Sequence, residues 1–240
     1  VTELGFVPLA PELPALLYTP RRLRAARYAG YPALSEWLPF HREGVQSNRD
    51  AVVVDEDRAR LLARLRALAH GQHLPELEQA ARSLPHYDPA RARRQLAAAL
   101  ERDPEGARGE LLQRLAYRPF DVRWFCPVGL VCLPPGPELL RALSHGGGAL
   151  LSVRKDRGDL PWTHAAYSWQ TVDNCFLSTR SSCRARAFPL HTPAAEDNVS
   201  AALREQLTAA CGEAPSVPAV HGYLLCLLSA RTYRERWDSE

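Results

Sequence analysis

The run His145-Gly146-Gly147-Gly148 has the most direct chemical reading in the chain. In some esterases the backbone amides of such a tetrapeptide meet the negative charge that develops on an attacked carbonyl. That use needs a nucleophile on a Gly-x-Ser-x-Gly elbow, and the sequence has none. A glycine turn feeding the apolar run from Ala149 explains the tetrapeptide better, and no catalytic residue is assigned. Metal chemistry finds no support in the spacing. Cys126 and Cys132, or Cys175 and Cys183, lie further apart than the close pairs that grip zinc, and there is no His-Glu-x-x-His. The cysteines read as buried thiols and no metal ligand is assigned. A Walker loop, a Gly-x-Gly-x-x-Gly turn and an Asn-Pro-Pro or Asp-Pro-Pro motif are all missing, so this chain by itself carries neither methyl transfer nor a cofactor.

What remains is guanidinium chemistry. Lys155 is the only lysine among the 30 lysines and arginines. Arginine forks onto phosphate or onto a guanine edge, although GC-rich codon usage would give the same bias. A net charge of +3 spread over 240 residues is no polybasic tail, so any surface for a polyanion must be local. Acid-free stretches occur at Arg21, Arg22, Arg24 and Arg27, and again at Arg180, Arg184 and Arg186.

Five groups of residues are candidates for such contact. Ser47, Asn48 and Arg49 follow Gly44 and precede an apolar run, where side chains or amides could face phosphate; an internal Arg49–Asp50 ion pair is the other reading. Arg118 and Arg123 flank Pro119 together with Asp121, and this block reads as mainly structural, with Phe120 and Trp124 expected in the core. Arg154, Lys155 and Arg157 leave a strand into a polar segment ending near His164 and are the favoured groove contacts, because recognition residues concentrate on loops at strand ends. Ser178, Thr179 and Arg180 follow another strand, with a plain surface loop as the alternative. Arg231, Arg234 and Arg236 end the last helix, where solvated cations are favourable without any ligand.

The elements that must position these groups read as α+β: an N-terminal strand plus helices, a central β-rich region and a C-terminal helical segment. With 46% hydrophobic and 24% charged residues the chain has globular composition. No run approaches the ~20 apolar residues of a bilayer-spanning helix, and the start shows no secretory pattern, so no membrane partner and a cytoplasmic location are expected. The run Ala51–Asp55 predicts a strand, the acids Asp55, Glu56 and Asp57 the N-terminus of a helix with leucines at helical spacing that His70-Gly71 stops, and Asp88-Pro89 a cap and first-turn proline of another. Glu105 to Tyr117 repeats a helical period that Pro119 should end. Strands are expected at Val122–Cys126, Gly129–Leu133, Ala149–Val153 and Thr171–Leu177, with a helix at Pro137–Leu143. Ser200 to Cys211 and one long segment from Ser216 to about Trp237 close the chain as helices. The expected division is a leading segment 1–43, a core 44–198 and a C-terminal helical segment 199–240.

Three ordered blocks narrow the reading: Gly44-Val45-Gln46-Ser47-Asn48-Arg49-Asp50 running into Ala51–Asp55, Tyr117-Arg118-Pro119-Phe120-Asp121-Val122-Arg123-Trp124, and His221-Gly222-Tyr223-Leu224 through Arg231-Thr232-Tyr233-Arg234-Glu235-Arg236-Trp237. With Ala149–Lys155, Thr163-His164, Val172–Ser178 and Phe188-Pro189-Leu190 between them, the set resembles the C-terminal specificity region of type ISP restriction-modification enzymes and related single-chain adenine methyltransferases, over about residues 35 to 237. The resemblance implies a target-recognition module that holds double-stranded DNA while a separate methyltransferase domain or subunit, in cis or in trans, flips out and methylates an adenine. S-adenosylmethionine is then expected on that methyltransferase portion, which the matched blocks do not include. A scaffold that docks on a methyltransferase partner is the alternative, and a hydrolase using His145 is the third reading.

Overall fold

The computed structural model describes residues 32–73, 75, 88–129, 136–153, 165–177 and 184–237. Among them, helices and two four-stranded sheets give the expected α+β class. The first sheet has the order β1-β8-β5-β6, built from Arg42–Glu43, Ala185–Pro189, Ala149–Val153 and Ala165–Ser168, all antiparallel. The second has the order β2-β4-β3-β7, from Val54–Asp55, Asp121–Phe125, Gln113–Arg118 and Thr171–Val172; only its β3–β7 pair is parallel.

The helices follow from their caps and apolar faces. In α3 (Arg58–Ala69) the Asp57 carboxylate accepts from the Arg60 amide, and Leu61, Leu62, Leu65 and Leu68 are buried. In α4 (Pro89–Arg102) Asp88 accepts from the amides of Ala90 and Arg91, and Leu96 and Ala99 turn inward. These two helices cover one face of the second sheet around Leu111, Leu115 and Phe125. Between the sheets, Ala149 and Leu151 of β5 meet Ala116, Val172 and Leu139, the last from α5 (Pro137–Ser144). The opposite side of β5, Leu150, packs with Phe188 against Leu203 of α6 (Ala201–Cys211) and Val220 and Leu224 of α7 (Val217–Ser229). β5 is thus covered on both faces, which is why Ala149, Leu150 and Leu151 are apolar in succession rather than alternating with polar residues.

Several expectations need correction. Residues 51–55 are not one strand: Asp50–Val53 forms the single helical turn α2, and only Val54–Asp55 is extended. The helix expected over 105–117 is strand β3 preceded by a loop. Gly106 and Gly109 take φ of +65° and +78°, and the buried Asp103 carboxylate gathers the amides of Ala107 and Arg108. Leu111, Leu112 and Leu115 are buried all the same. Thr171–Leu177 is extended only at its start. The last helix breaks at Ala230, whose ψ is 129°, before α8 (Arg231–Trp237). The expected strand Gly129–Leu133 lies almost entirely outside the described residues. Gly146, Gly147 and Gly148, at φ of +88°, +80° and +76°, form the turn between α5 and β5, and a Cβ on Gly148 would lie 2.4 Å from the Ser168 carbonyl oxygen.

Candidate nucleic-acid interface

Two features of the second sheet come together at one end. The first is the hairpin β3–β4, closed by Pro119 and Phe120 between the paired residues Arg118 and Asp121. The second is a strap, residues 44–50, that crosses from the first sheet to the second. The Gly44 amide donates to the Ala185 carbonyl (2.9 Å), and the Val45 amide to that of Val172 (2.7 Å). The strap then turns at Asn48, whose φ is +52°, a conformation asparagine tolerates better than most residues.

Between strap and hairpin lies a cleft of about 340 Å³, lined by Gln46, Ser47, Asn48, Asp50, Arg118 and Asp173 among others. Its walls are fixed by internal bonds. Asp50 accepts from the Ser47 hydroxyl and, at 2.8 Å, from the Tyr117 hydroxyl. Burial, and then the bond to Asp50, push the Tyr117 phenol up to about 12. Arg118 donates to Asp173 at 2.9 Å and to the Tyr117 carbonyl, and its guanidinium lies 4.0 Å from the Tyr117 ring centroid. Arg123 pairs with Asp121 at 2.8 Å and lies 4.3 Å from the same ring centroid. Asp173, 6% exposed, is raised by burial against the lowering effect of the Cys175 amide and Arg118.

This arrangement separates the sequence candidates. Ser47 and Arg49 are buried at 1% and 6% exposure, so their side chains shape the strap from within. Asn48 is exposed, and so is Gln46, whose amide donates to Asn48 at 3.2 Å. Arg118 and Arg123 have internal carboxylate partners. Arg154, Lys155, Arg157, His164, Ser178, Thr179 and Arg180 lie outside the described residues. With two carboxylates against one guanidinium the cleft is no phosphate cradle; its mouth offers side-chain amides, the groups that read adenine edges.

Sequence reasoning missed two things here. Gln46 stands out in the sequence only as one residue of the Gly44–Asp50 block, although its amide lies two residues from Asn48 at the mouth of the cleft. Phe120, expected in the core, is fully exposed. Trp124, expected beside it, is partly buried against the first core, with the Arg114 and Arg58 guanidiniums 4.8 and 5.5 Å from its ring centroid.

Removing Arg118 tests whether the ion pair holds the cleft. Arg118→Ala leaves a buried carboxylate without its guanidinium and should cost about 2 kcal/mol in urea unfolding at pH 7, discounted for the partial exposure of the arginine. The loss should shrink when the titration is repeated at acid pH, where Asp173, raised by burial, takes a proton more readily than an ordinary carboxylate. An equal loss at both values would show that the ion pair is not its cause.

Among the described residues no helix is long and apolar enough to cross a membrane. No group of three or more His, Cys, Asp or Glu among them is placed to hold a metal ion.

Comparison with known proteins places this architecture. The family model described as the type ISP C-terminal specificity domain matches residues 36–240. The cryoEM structure of a DrdV–DNA complex superimposes with a TM-score of 0.56 at 16% identity, over 82% of this chain and 20% of that one. A nuclease-deletion mutant of the type ISP restriction-modification enzyme LlaGI, in complex with a DNA substrate mimic, gives a TM-score of 0.49 at 13% identity, over 90% of this chain and 21% of that one. The chain thus spans about a fifth of the length of each of these two structures. No curated protein matches.

Proposed function

Because the chain belongs to the type ISP C-terminal specificity domain family, we propose that it is the DNA target-recognition module of a restriction-modification enzyme. The family match over residues 36–240 carries this reading. The likeness of its fold to a fifth of DrdV, bound to DNA in that structure, supports it. In this reading the module holds duplex DNA in the cytoplasm, and a methyltransferase domain or subunit, in cis or in trans, binds S-adenosylmethionine and performs the chemistry on the flipped adenine. The work of this chain is positioning and readout.

The geometry suggests a division of labour. Gln46 and Asn48 at the mouth of the cleft would read base edges, while Ser47, Arg49, Arg118 and Arg123 hold the strap and hairpin that present them. Arg154, Lys155, Arg157 and His164, and Ser178, Thr179 and Arg180, would supply phosphate and groove contacts from the two segments that follow β5 and Leu177.

Binding of duplex DNA measured across a salt series tests the function. Each phosphate neutralised adds roughly 0.9 to the negative log-log slope, and a module of this size should reach a slope of about −4. Arg154→Ala and Arg180→Ala separate the two kinds of contact: loss of a phosphate contact makes the slope shallower by about 1 with affinity falling alike on all sequences, and loss of a groove contact relaxes base choice. A flat salt response with no affinity at low salt, together with co-purification with a methyltransferase, would replace this reading by the scaffold one.

A further inference from the structure

Phe120 contributes nothing to the core and holds a backbone conformation that its side chain disfavours. It is fully exposed, and its φ of +65° falls in the left-handed region. Pro119 followed by a positive φ is the pattern of a type II turn, whose third position calls for glycine or asparagine. A bulky residue there strains the backbone by an amount that glycine would remove. Stability therefore gives no reason for phenylalanine on either count. The turn that carries it is held firmly, because β3 and β4 pair from Gln113↔Phe125 to Arg118↔Asp121 and the Tyr117 ring has the Arg118 and Arg123 guanidiniums packed against it.

The surroundings of the ring indicate what it meets. The other exposed large apolar side chains among the described residues are Trp169, just after β6, and Tyr223 on α7, neither of them on this hairpin. A stable protein contact needs a contiguous apolar patch, and one ring among Pro119, Asp121, Arg118 and Arg123 is not one. A stack of bases offers the matching partner: an apolar slot about one ring thick, bounded on both sides by charge.

We propose that Phe120 is an aromatic wedge that stacks on a base of the bound duplex where that duplex is locally unstacked. This rests on the DNA-recognition reading above and assigns one contact within it. The hairpin positions the ring, and the left-handed backbone at Phe120 aims it away from the sheet, so that on binding the ring exchanges water for a base face.

The test uses the 240-residue chain and a duplex site enriched by it from a random-sequence pool, with 2-aminopurine placed at successive positions of that site. Wild-type protein should raise emission severalfold at one position, and Phe120→Gly should abolish the rise. Phe120→Gly should also bind about tenfold more weakly, the lower range of one lost base–aromatic stack. Its Tm should be unchanged or a few degrees higher, because the strain is gone. Phe120→Trp should keep the affinity, because an indole stacks on a base as a phenyl ring does. Loss of affinity accompanied by a fall in Tm would make Phe120 a structural residue and overturn the proposal. Unchanged affinity and emission in Phe120→Gly would overturn it too, while leaving DNA recognition intact. Failure of the wild-type chain to bind any duplex would overturn both.

Discussion

Gly44→Ala should destabilise the protein by about 4 kcal/mol in a urea or guanidinium titration, although it adds a single methyl group. A Cβ on Gly44 would lie 2.7 Å from the Val172 carbonyl oxygen and 3.0 Å from both the Asp173 carbonyl carbon and the Asn174 amide nitrogen. All three neighbours are backbone, so no rotamer change can yield. The strap has to move, and moving it breaks the Gly44 amide bond to Ala185 and the Val45 amide bond to Val172. Gly212→Ala is the fitting control. Gly212 has a φ of +83° but nothing within 4 Å of a new Cβ, so only the cost of the left-handed backbone, about 1 kcal/mol, should appear. Comparable losses in the two variants would mean that the strap is loose. In Gly44→Ala protein that still folds, DNA affinity should fall as well, because the strap carries Gln46 and Asn48.

His221→Leu should change the shape of the stability curve with pH. His221 is 1% exposed on the buried face of α7, and neither ring nitrogen has a hydrogen-bond partner. Burial, and to a lesser degree the charge of His191, lower its pKa from 6.5 to about 4. Above pH 6.5 the ring is neutral in both the folded and the unfolded chain, so its contribution is flat. As pH falls from 6.5 to about 4 the unfolded chain takes up a proton that the folded protein refuses, and about 3 kcal/mol of stability is lost across that window. Below pH 4 the native ring is protonated too and the loss stops growing. His41, held below its usual value by burial and by Arg186 and Arg42, adds a loss of the same sign. The difference between wild type and variant is therefore the measure. His221→Leu should remove the loss between pH 6.5 and 4 and be at least as stable as wild type at pH 7, since two unpaired ring nitrogens leave the core. Parallel curves for the two proteins would mean that water or local opening reaches the imidazole.

What the sequence showed and what it hid follow from where the deciding interaction lies. Caps are local, so Asp88, Ser200 and Ser216 announced their helices, the acids Asp55, Glu56 and Asp57 announced another, and the apolar residues of β5 announced a strand. Val52, Val53 and Val54 read as a strand by β-branching. The turn of helix at Asp50–Val53 is settled instead by Asp50, whose carboxylate holds the Ser47 hydroxyl three residues before it and the Tyr117 hydroxyl 67 residues away. Leu111, Leu112 and Leu115 fit a helical period, but Gly106, Gly109 and the Asp103 carboxylate turn the chain before them and they enter a strand. That error concealed a second one. With β3 taken for a helix, Pro119 looked like its end rather than a hairpin turn, and Phe120 could not be told apart from the buried Phe125. Of the candidate contacts, the grouping of Asn48 with Gln46 needed the strap, and the inward course of Ser47 and Arg49 needed the second sheet.

The backbone around Asn174 has a mechanical consequence. Its amide donates to Val45 and its carbonyl accepts from the Ala185 amide, while the Asp173 amide before it donates to Ala116. Two residues, through three backbone bonds, thus rivet strand β3 of one sheet to strand β8 of the other and to the strap. In the DNA-recognition reading, a frame fastened in this way would work like a caliper locked at one opening, its span set by bonds within the chain. Distortion needed for a close fit would then come from the bound duplex, and sequences that resist bending or unstacking would be refused without a single base edge being touched.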